Sequence, residues 1–465
     1  MVPGTKAAAQ ALPRRREING LALNDPTVQT LRDGVRLLKA RPGGNPAAPS
    51  WTEMSNIHGT ANGGFNKCPH GTWYFLPWHR AYVLMYERMI RSVTGNNAFA
   101  MPYWDWAANR TVPLAFKNST HNGQPNPLFV AARNNAWSVP DTYSGPAVMS
   151  NIFAQTNFEL FGTSRRAGQN NLNPSWIKGP GGVQGTLEAT PHNNIHVNLG
   201  GFMPKGNSPM DPIFQMHHGN IDRIWWRWNC MGRANTADPL WRDMPFTNNY
   251  YNPDGTMRTW KPSQLLSVSA LGYSYGLCLS PVLQLPLRVV ASARLRDIFK
   301  NGRAFRAKPA GAQILDLQTR RSDSVVEAVG AARPQSLRNT FLNIGQRRQV
   351  TPQLTAEQRT SQIVALIHNL TPPGDNVEVL VFAGTGDLRP TSDTKDPSFV
   401  TSIGFFGPHA HGEGLSASVD LTEHLRAMQV TSDRVQVRLV ARATGPNEGR
   451  VEQTVANAEV EVFIV

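Results

Sequence analysis

Residues 65–80 read FNKCPHGTWYFLPWHR. His70 and His79 stand nine apart, and Cys68 lies two before the first of them. From Leu76 the stretch turns into a helical apolar pattern, LPWHRAYVLMYERMIRSV (76–93), opened by a proline as helices often are. His79 therefore belongs to a helix, while His70 and Cys68 belong to the glycine-containing loop before it. His58 lies twelve residues upstream of His70. Two further segments have the same form. In DPTVQTLRDGVRLLKAR (25–41) Asp25 is the N-cap, Pro26 opens the first turn, and Val28, Leu31, Val35 and Leu38 make the apolar face. In MDPIFQMHHGNIDRIWWRW (210–228) Asp211 caps, Pro212 stands at the first helical position, and His217 and His218 follow on the helix. A last pair, His192 and His196, occurs in LEATPHNNIHVNLGG (187–201). Residues four apart on a helix are offset by about 40°, so both imidazoles share a face.

The histidines thus fall into two groups of three, 58/70/79 and 192/196/218. One HxxxH pair alone is weak evidence, since such pairs commonly lie on a solvated face. The zinc-peptidase pattern HExxH is absent because Asn193 takes the second place, and paired CxxC is absent too. Two complete triads are a stronger signal. Neutral imidazole suits copper, iron, nickel and zinc, and three-histidine coordination leaves positions open for small molecules. Neither triad holds a carboxylate, which argues against the two-histidine-one-carboxylate iron site and against a bridged di-iron centre.

The 465 residues, 40% hydrophobic with 12 Trp, 19 Phe and 9 Tyr, have the composition of globular cores. No apolar run approaches a membrane span. The net charge of +14 raises nucleic acid as a partner, but the basic residues are scattered doublets such as Arg165-Arg166, Arg320-Arg321 and Arg347-Arg348. That pattern fits a surface attracting acidic partners better than a nucleic-acid footprint. Arg14, Arg15 and Arg16 are followed by no long apolar stretch, so the expectation is a cytoplasmic chain or a mature form whose leader has been removed. Cys68, Cys230 and Cys278 are an odd set, which implies no disulfide framework and leaves Cys68 free for other chemistry.

Composition shifts near residue 283. The tryptophans end at Trp260, eight of the twelve histidines lie before the shift, and SPVLQLPLRVV (280–290) reads as a connection. Beyond it NVEVLVFAG (376–384), RVQVRLVARA (434–443) and AEVEVFIV (458–465) alternate like half-buried strands. The expectation is a mainly helical domain over 1–283 and a β-rich, sandwich-like domain over 284–465.

CPHGTWYFLPWHR, PYWDW (102–106), PHNNIH and DPIFQMHHGNIDRIWW, in this order, resemble the type 3 copper proteins: tyrosinases, catechol oxidases and, more distantly, molluscan hemocyanins. The resemblance covers about residues 20 to 275, and the length and tail look most like the longer bacterial tyrosinases with a carboxy-terminal domain. It implies an antiparallel four-helix bundle holding two copper ions, with O2 as co-substrate and phenols as substrates. His58, His70 and His79 would hold the first copper, and His192, His196 and His218 the second, with His217 behind them. It implies a thioether between Cys68 and His70, although Pro69 is unusual between the two. Glu188 and Asn193 match the pair thought to hold a proton-accepting water in members that hydroxylate monophenols, and Glu188 could equally be a helix-start charge. Asp222 could orient a histidine or pair with an arginine, and Phe214 should pack on the site. Val197, Met203 and Lys205 should border the entrance, although the 202–210 loop departs from relatives in length and composition. Gln215 and Met216 replace bulky residues before the histidine pair. Relatives with such tails insert a side chain into the pocket, and SIGFFGPHAHGEG (403–415), with Phe405, Phe406, His409 and His411, is the candidate plug, or else a surface turn. A hemocyanin-like O2 carrier and a catechol oxidase stay open, as does the oligomeric state.

Overall fold

The structure is a computed structural model that describes residues 11–60, 64–133, 137–179, 181–278, 303–307, 313–315, 321–328, 362–371, 377–384, 393–407, 414–428, 435–444 and 458–464. The expected connection at 280–290 and His409 and His411 lie outside the described residues. No helix among the described residues is long and apolar enough to cross a membrane.

The amino-terminal half is helical. α1 (Pro26–Lys39) starts where Asp25 accepts the Thr27 N–H and buries Val28, Leu31, Val35 and Leu38 against α3 (Phe75–Thr94). α2 (Trp51–Asn56) opens with a reciprocal Ser50–Glu53 capping box and delivers the chain to His58. α3 ends at Gly95, whose φ of 69° is the left-handed conformation that stops helices. It packs on α5 (Ile213–Cys230), and between them in sequence comes the short α4 (Asn193–Leu199). α5 begins one residue later than expected. Asp211 is extended, and its carboxylate accepts the Ile213 N–H while pairing with buried Arg133, so Pro212 becomes the cap.

Under α3 and α5 lies a buried ionic cluster. Arg15 bonds Glu87 and Asp222, Arg80 also bonds Asp222, and the Tyr273 and Tyr275 hydroxyls donate to the same carboxylate. Nη2 of Arg15 and of Arg80 lacks a hydrogen-bond partner, but the charges are paired, and removing one member would strand a buried charge. It corrects one expectation. By drawing residues 273–275 back onto α5, it brings Cys278 beside Cys230, and the two form a disulfide across 48 residues of sequence. An odd cysteine count leaves one thiol over and does not prevent a pair. In the chain-entropy picture a loop of this size stabilises by about 4 kcal/mol.

Among the described residues the tail's strands lie in two five-stranded sheets, one of them completed by a strand of the helical half. One has the order β7 (Phe399–Gly404), β6 (Val377–Gly384), β9 (Val435–Ala443), β4 (Arg321–Ala328), β3 (Gln313–Leu315). The other runs β1 (Val183–Gln184), β8 (Leu415–Asp420), β5 (Ile363–Leu370), β10 (Glu459–Ile464), β2 (Arg303–Ala307). Val377, Val379, Val381, Ile363, Ala365, Ile367, Val437 and Leu439 from both sheets share one core, as in a sandwich. β6 is buried along its whole length, where half-burial was expected. The helical half supplies the second cover: Leu160 joins Val364, Leu366 and Phe463, and Tyr143 hydrogen-bonds Glu378. All these strand pairs are antiparallel except β1–β8, where a two-residue strand of the helical half adds in parallel to the tail's sheet.

Candidate metal centre

The three histidines of the first group meet as a near-equilateral triangle, with ring centroids 5.3, 5.7 and 5.2 Å apart for 58–70, 58–79 and 70–79. They come from the turn after α2, a loop, and α3. His58 Nδ1 donates to the Gly206 carbonyl at 2.6 Å and His79 Nδ1 to the Phe75 carbonyl at 2.8 Å. A ring whose Nδ1 carries the proton presents Nε2 as a bare lone pair. The second group is as tight, with centroids 4.7, 5.1 and 5.5 Å apart for 192–196, 192–218 and 196–218. His192 Nδ1 donates to Asn193 Oδ1 at 2.9 Å and His196 Nδ1 to the Met203 carbonyl at 2.7 Å. His192 and His196 do not share one regular helix. A π-helical turn, Glu188–His192 with Pro191 inside, precedes α4, because proline cannot continue the α-helical bonding. The groups face each other, His79 and His218 lying 4.3 Å apart and nearly parallel.

All six rings are buried, and burial pushes their pKa values down, that of His58 to about 4. Nε2 of His58, His70, His79 and His192 are buried without a hydrogen-bond partner. Four such atoms on rings clustered this closely are costly unless a metal accepts the lone pairs. The residues therefore fit a pair of metal ions held by neutral imidazole. The family model described as the common central domain of tyrosinase matches residues 48–231.

These residues form a type 3 copper domain. Its cofactor is two copper ions. A tyrosinase of Hahella sp. (strain CCB-MM4) is 29% identical over 301 residues, 55% of this chain and 62% of that one. The chain spans about half the length of the curated relatives it matches, between 45% and 62% for three of them. At the level of fold, a latent aurone synthase (polyphenol oxidase) superposes over 99% of this chain and 91% of its own, with TM-score 0.65 and 17% identity. A functional unit from octopus hemocyanin superposes over 97% of this chain and 99% of its own, with TM-score 0.51 and 17% identity.

Around the copper domain's histidines the other expected residues fall as follows. Phe214 packs on the rings of His218 at 4.1 Å and His58 at 5.1 Å. His217 is buried beside His192, His196 and His218, with neither ring nitrogen hydrogen-bonded. Asp222 touches no histidine: its oxygens are used by the two arginines and two tyrosines of the ionic cluster, so the arginine alternative holds. Met203 is not at an entrance. Its side chain is fully buried, and what serves the site is its carbonyl on His196. Lys205 is exposed and Val197 half-buried. The Gln215 amide is buried without a partner and Met216 is in the core.

Glu188 does more than start a helix. Its carboxylate accepts the Gly71 N–H at 2.8 Å and the Thr163 hydroxyl, and burial pushes its pKa up to about 8 against those bonds. Cys68 is a buried free thiol that donates to the His58 carbonyl, and its sulfur and ring nitrogens of His58 and His70 lie within 4.8 Å of one another. From the tail, Phe405 enters the sandwich core, while Phe406 lies flat on His196, centroids 3.8 Å apart, and edge-on to His70. The glycines beside it allow that approach. A Cβ at Gly407, φ 82°, would stand 2.8 Å from the His70 Cβ, and one at Gly404 would meet the Asn194 backbone.

Three residues at the site were not foreseen. Phe65 stands edge-on to His70 and Phe406, and Thr163 and Gln184 hold Glu188 and Asn193. Phe65 lies in the opening stretch, and its aromatic character was the available signal. Thr163 and Gln184 belong to no motif and come from other segments, so nothing local marks them.

Proposed function

We infer that the chain is a phenol oxidase: with O2 it converts a monophenol to an o-quinone and one water, or two catechols to two o-quinones and two waters. The observation that supports this most is Phe406, an aromatic ring flat against His196 and edge-on to His70 and His192, one histidine from the first triad and two from the second. The space that ring fills would take a phenol once the ring withdraws. When bound, the copper ions supply the binding and reduction of O2. His58, His70 and His79 hold one ion, and His192, His196 and His218 the other. Residues 1–283 would be the catalytic domain and 284–465 its cover, with Phe406 excluding phenols until the loop lifts.

The chain's own contribution to monophenol chemistry is a proton path. A phenol hydroxyl with pKa about 10 must lose its proton to bind a metal. Glu188, buried and four residues before His192, takes that proton in its ionised form, through one water held with the Asn193 Nδ2–H that the Gly404 carbonyl gives up. Cys68, a free thiol here, and His70 would form a thioether: the thiol hydrogen and one ring hydrogen leave with two electrons and O2 takes them up as H2O2, so the intact mass should drop by two hydrogens on aerobic copper loading.

Oxygen uptake by the copper-loaded full chain, with a monophenol and its catechol in parallel, tests the reading. The Phe406→Ala and Phe406→Arg chains should consume O2 with both substrates, and the natural chain far more slowly. Catechol uptake alone in both variants would withdraw the Glu188–Asn193 assignment. The covering of the pocket also fits an O2 carrier. Reversible O2 binding without turnover in both variants would establish that instead.

A further inference from the structure

Asn193 is a carboxamide with every polar atom engaged. Oδ1 accepts the His192 Nδ1–H, and Nδ2 donates both to Gln184 Oε1 at 2.9 Å and to the Gly404 carbonyl at 2.9 Å. Turned over, the amide would set N–H against N–H at His192 and oxygen against oxygen at the other two contacts, so the two acceptors together choose its orientation. They are not equivalent. Gly404 is the last residue of β7, paired with Glu378 and two before Phe406, so its contact is lost if that end of the strand moves out with the ring. Gln184 belongs to the helical half and is fully buried. Its backbone pairs with Thr163, whose hydroxyl holds Glu188, and on its other edge with Ala417 of β8. Ser418 Oγ donates to its carbonyl. Both proton-handling residues are thus held from one short strand, on which the tail also docks.

We propose that Gln184 is a positioning residue of the oxidase site: it fixes the Asn193 amide so that Oδ1 keeps His192 in its Nδ1–H form and the Nδ2–H released by Gly404 faces the incoming phenol. The proposal rests on the phenol-oxidase reading for its kinetic part and on hydrogen-bond geometry alone for the rest. With the tail docked, Gly404 and Gln184 act together. With the loop lifted, Gln184 alone holds the amide, which is the state in which substrate reacts. Loss of an outer partner of a metal-binding histidine commonly lowers affinity or activity about 10–100-fold, which sets the expected size.

The experiment uses the full chain carrying Phe406→Arg, because a guanidinium stays charged and cannot remain among buried imidazoles. Into it go Gln184→Met, which keeps length and removes the acceptor, and Gln184→Glu, which keeps an acceptor oxygen. In the copper-free protein, the 15N signals of the His192 ring, identified by their loss in His192→Gln, report its tautomer. The parent and Gln184→Glu should show one Nδ1–H form, and Gln184→Met a mixture. In the copper-loaded protein, Gln184→Met should lower the ratio of monophenol to catechol turnover about tenfold, with two coppers still bound, while Gln184→Glu keeps the ratio. A single tautomer and an unchanged ratio in Gln184→Met overturn the proposal, as does an equal fall in both activities. Should Gln184→Met not fold, Gln184→Asn, one methylene short of Asn193, must show the same two changes. If the parent binds two coppers yet oxidises no phenol, the phenol-oxidase reading fails, and the tautomer result still decides the role of Gln184.

Discussion

His70 and His218 are the two rings of the triads that lack an Nδ1 hydrogen bond, and they are held in opposite ways. His218 rides on the 18-residue α5, is stacked on His79, and is packed by Phe214. His70 lies on a loop, and other parts of the chain hold that loop. Glu188 holds the next residue's N–H, Cys68 is bonded to the His58 carbonyl, and Gly407 of the tail lies so close that a Cβ added to it would stand 2.8 Å from the His70 Cβ. A ring on a long helix is placed by the backbone ladder and by packing. A ring on a loop is placed by remote partners, each of which can be removed singly. The first copper position should therefore be the weaker one, and the more sensitive to changes elsewhere.

The sharpest break of this comparison is His218→Ala. It should leave about one copper per chain and reduce phenol turnover beyond the ~100-fold typical of losing an outer partner, measured by metal analysis and oxygen uptake. Glu188→Gln comes next, in the copper-free protein. The folded carboxyl holds its proton up to about pH 8 against an ordinary value of 4.5, so folding takes up a proton between those values. Stability should fall as pH rises from 4.5 to 8, by up to ~1.4 kcal/mol per unit, and the glutamine chain should lose that slope in urea titrations. Cys68→Ser tests the loop more gently. Copper retention at the first position should weaken about tenfold, with the second unchanged, and equal losses at both would remove the asymmetry. The smallest effect is expected from Tyr143→Phe, which removes a hydroxyl bonded to Glu378 of the tail. A loss of about 1 kcal/mol in tail docking should appear as a few-fold rise in the natural chain's phenol turnover.

The asymmetry between local and remote support also explains what could be read from the amino acids. α1 was legible to its caps because Asp25, Pro26 and the apolar period are local signals, and the six histidines were singled out by the ordered motifs that carry five of them. The strands at 377–384, 435–443 and 459–464 announced themselves by alternation, though not the burial of 377–384 on both faces, which depends on the helical half docking there. The π turn at Glu188–His192 was hidden, since four-residue spacing reads as α whether or not Pro191 interrupts it. Gln184 and Thr163 act across the fold, and no local pattern encodes a partner that arrives from another segment.

The Cys230–Cys278 bond makes residues 230–278 a closed covalent ring at the end of α5. A protease cutting once anywhere inside that ring leaves one molecule, whose two pieces separate only after a reductant opens the bond. A single cut after Cys278 meets no such link, and the fragment that follows is joined to the copper-binding half by noncovalent contacts alone.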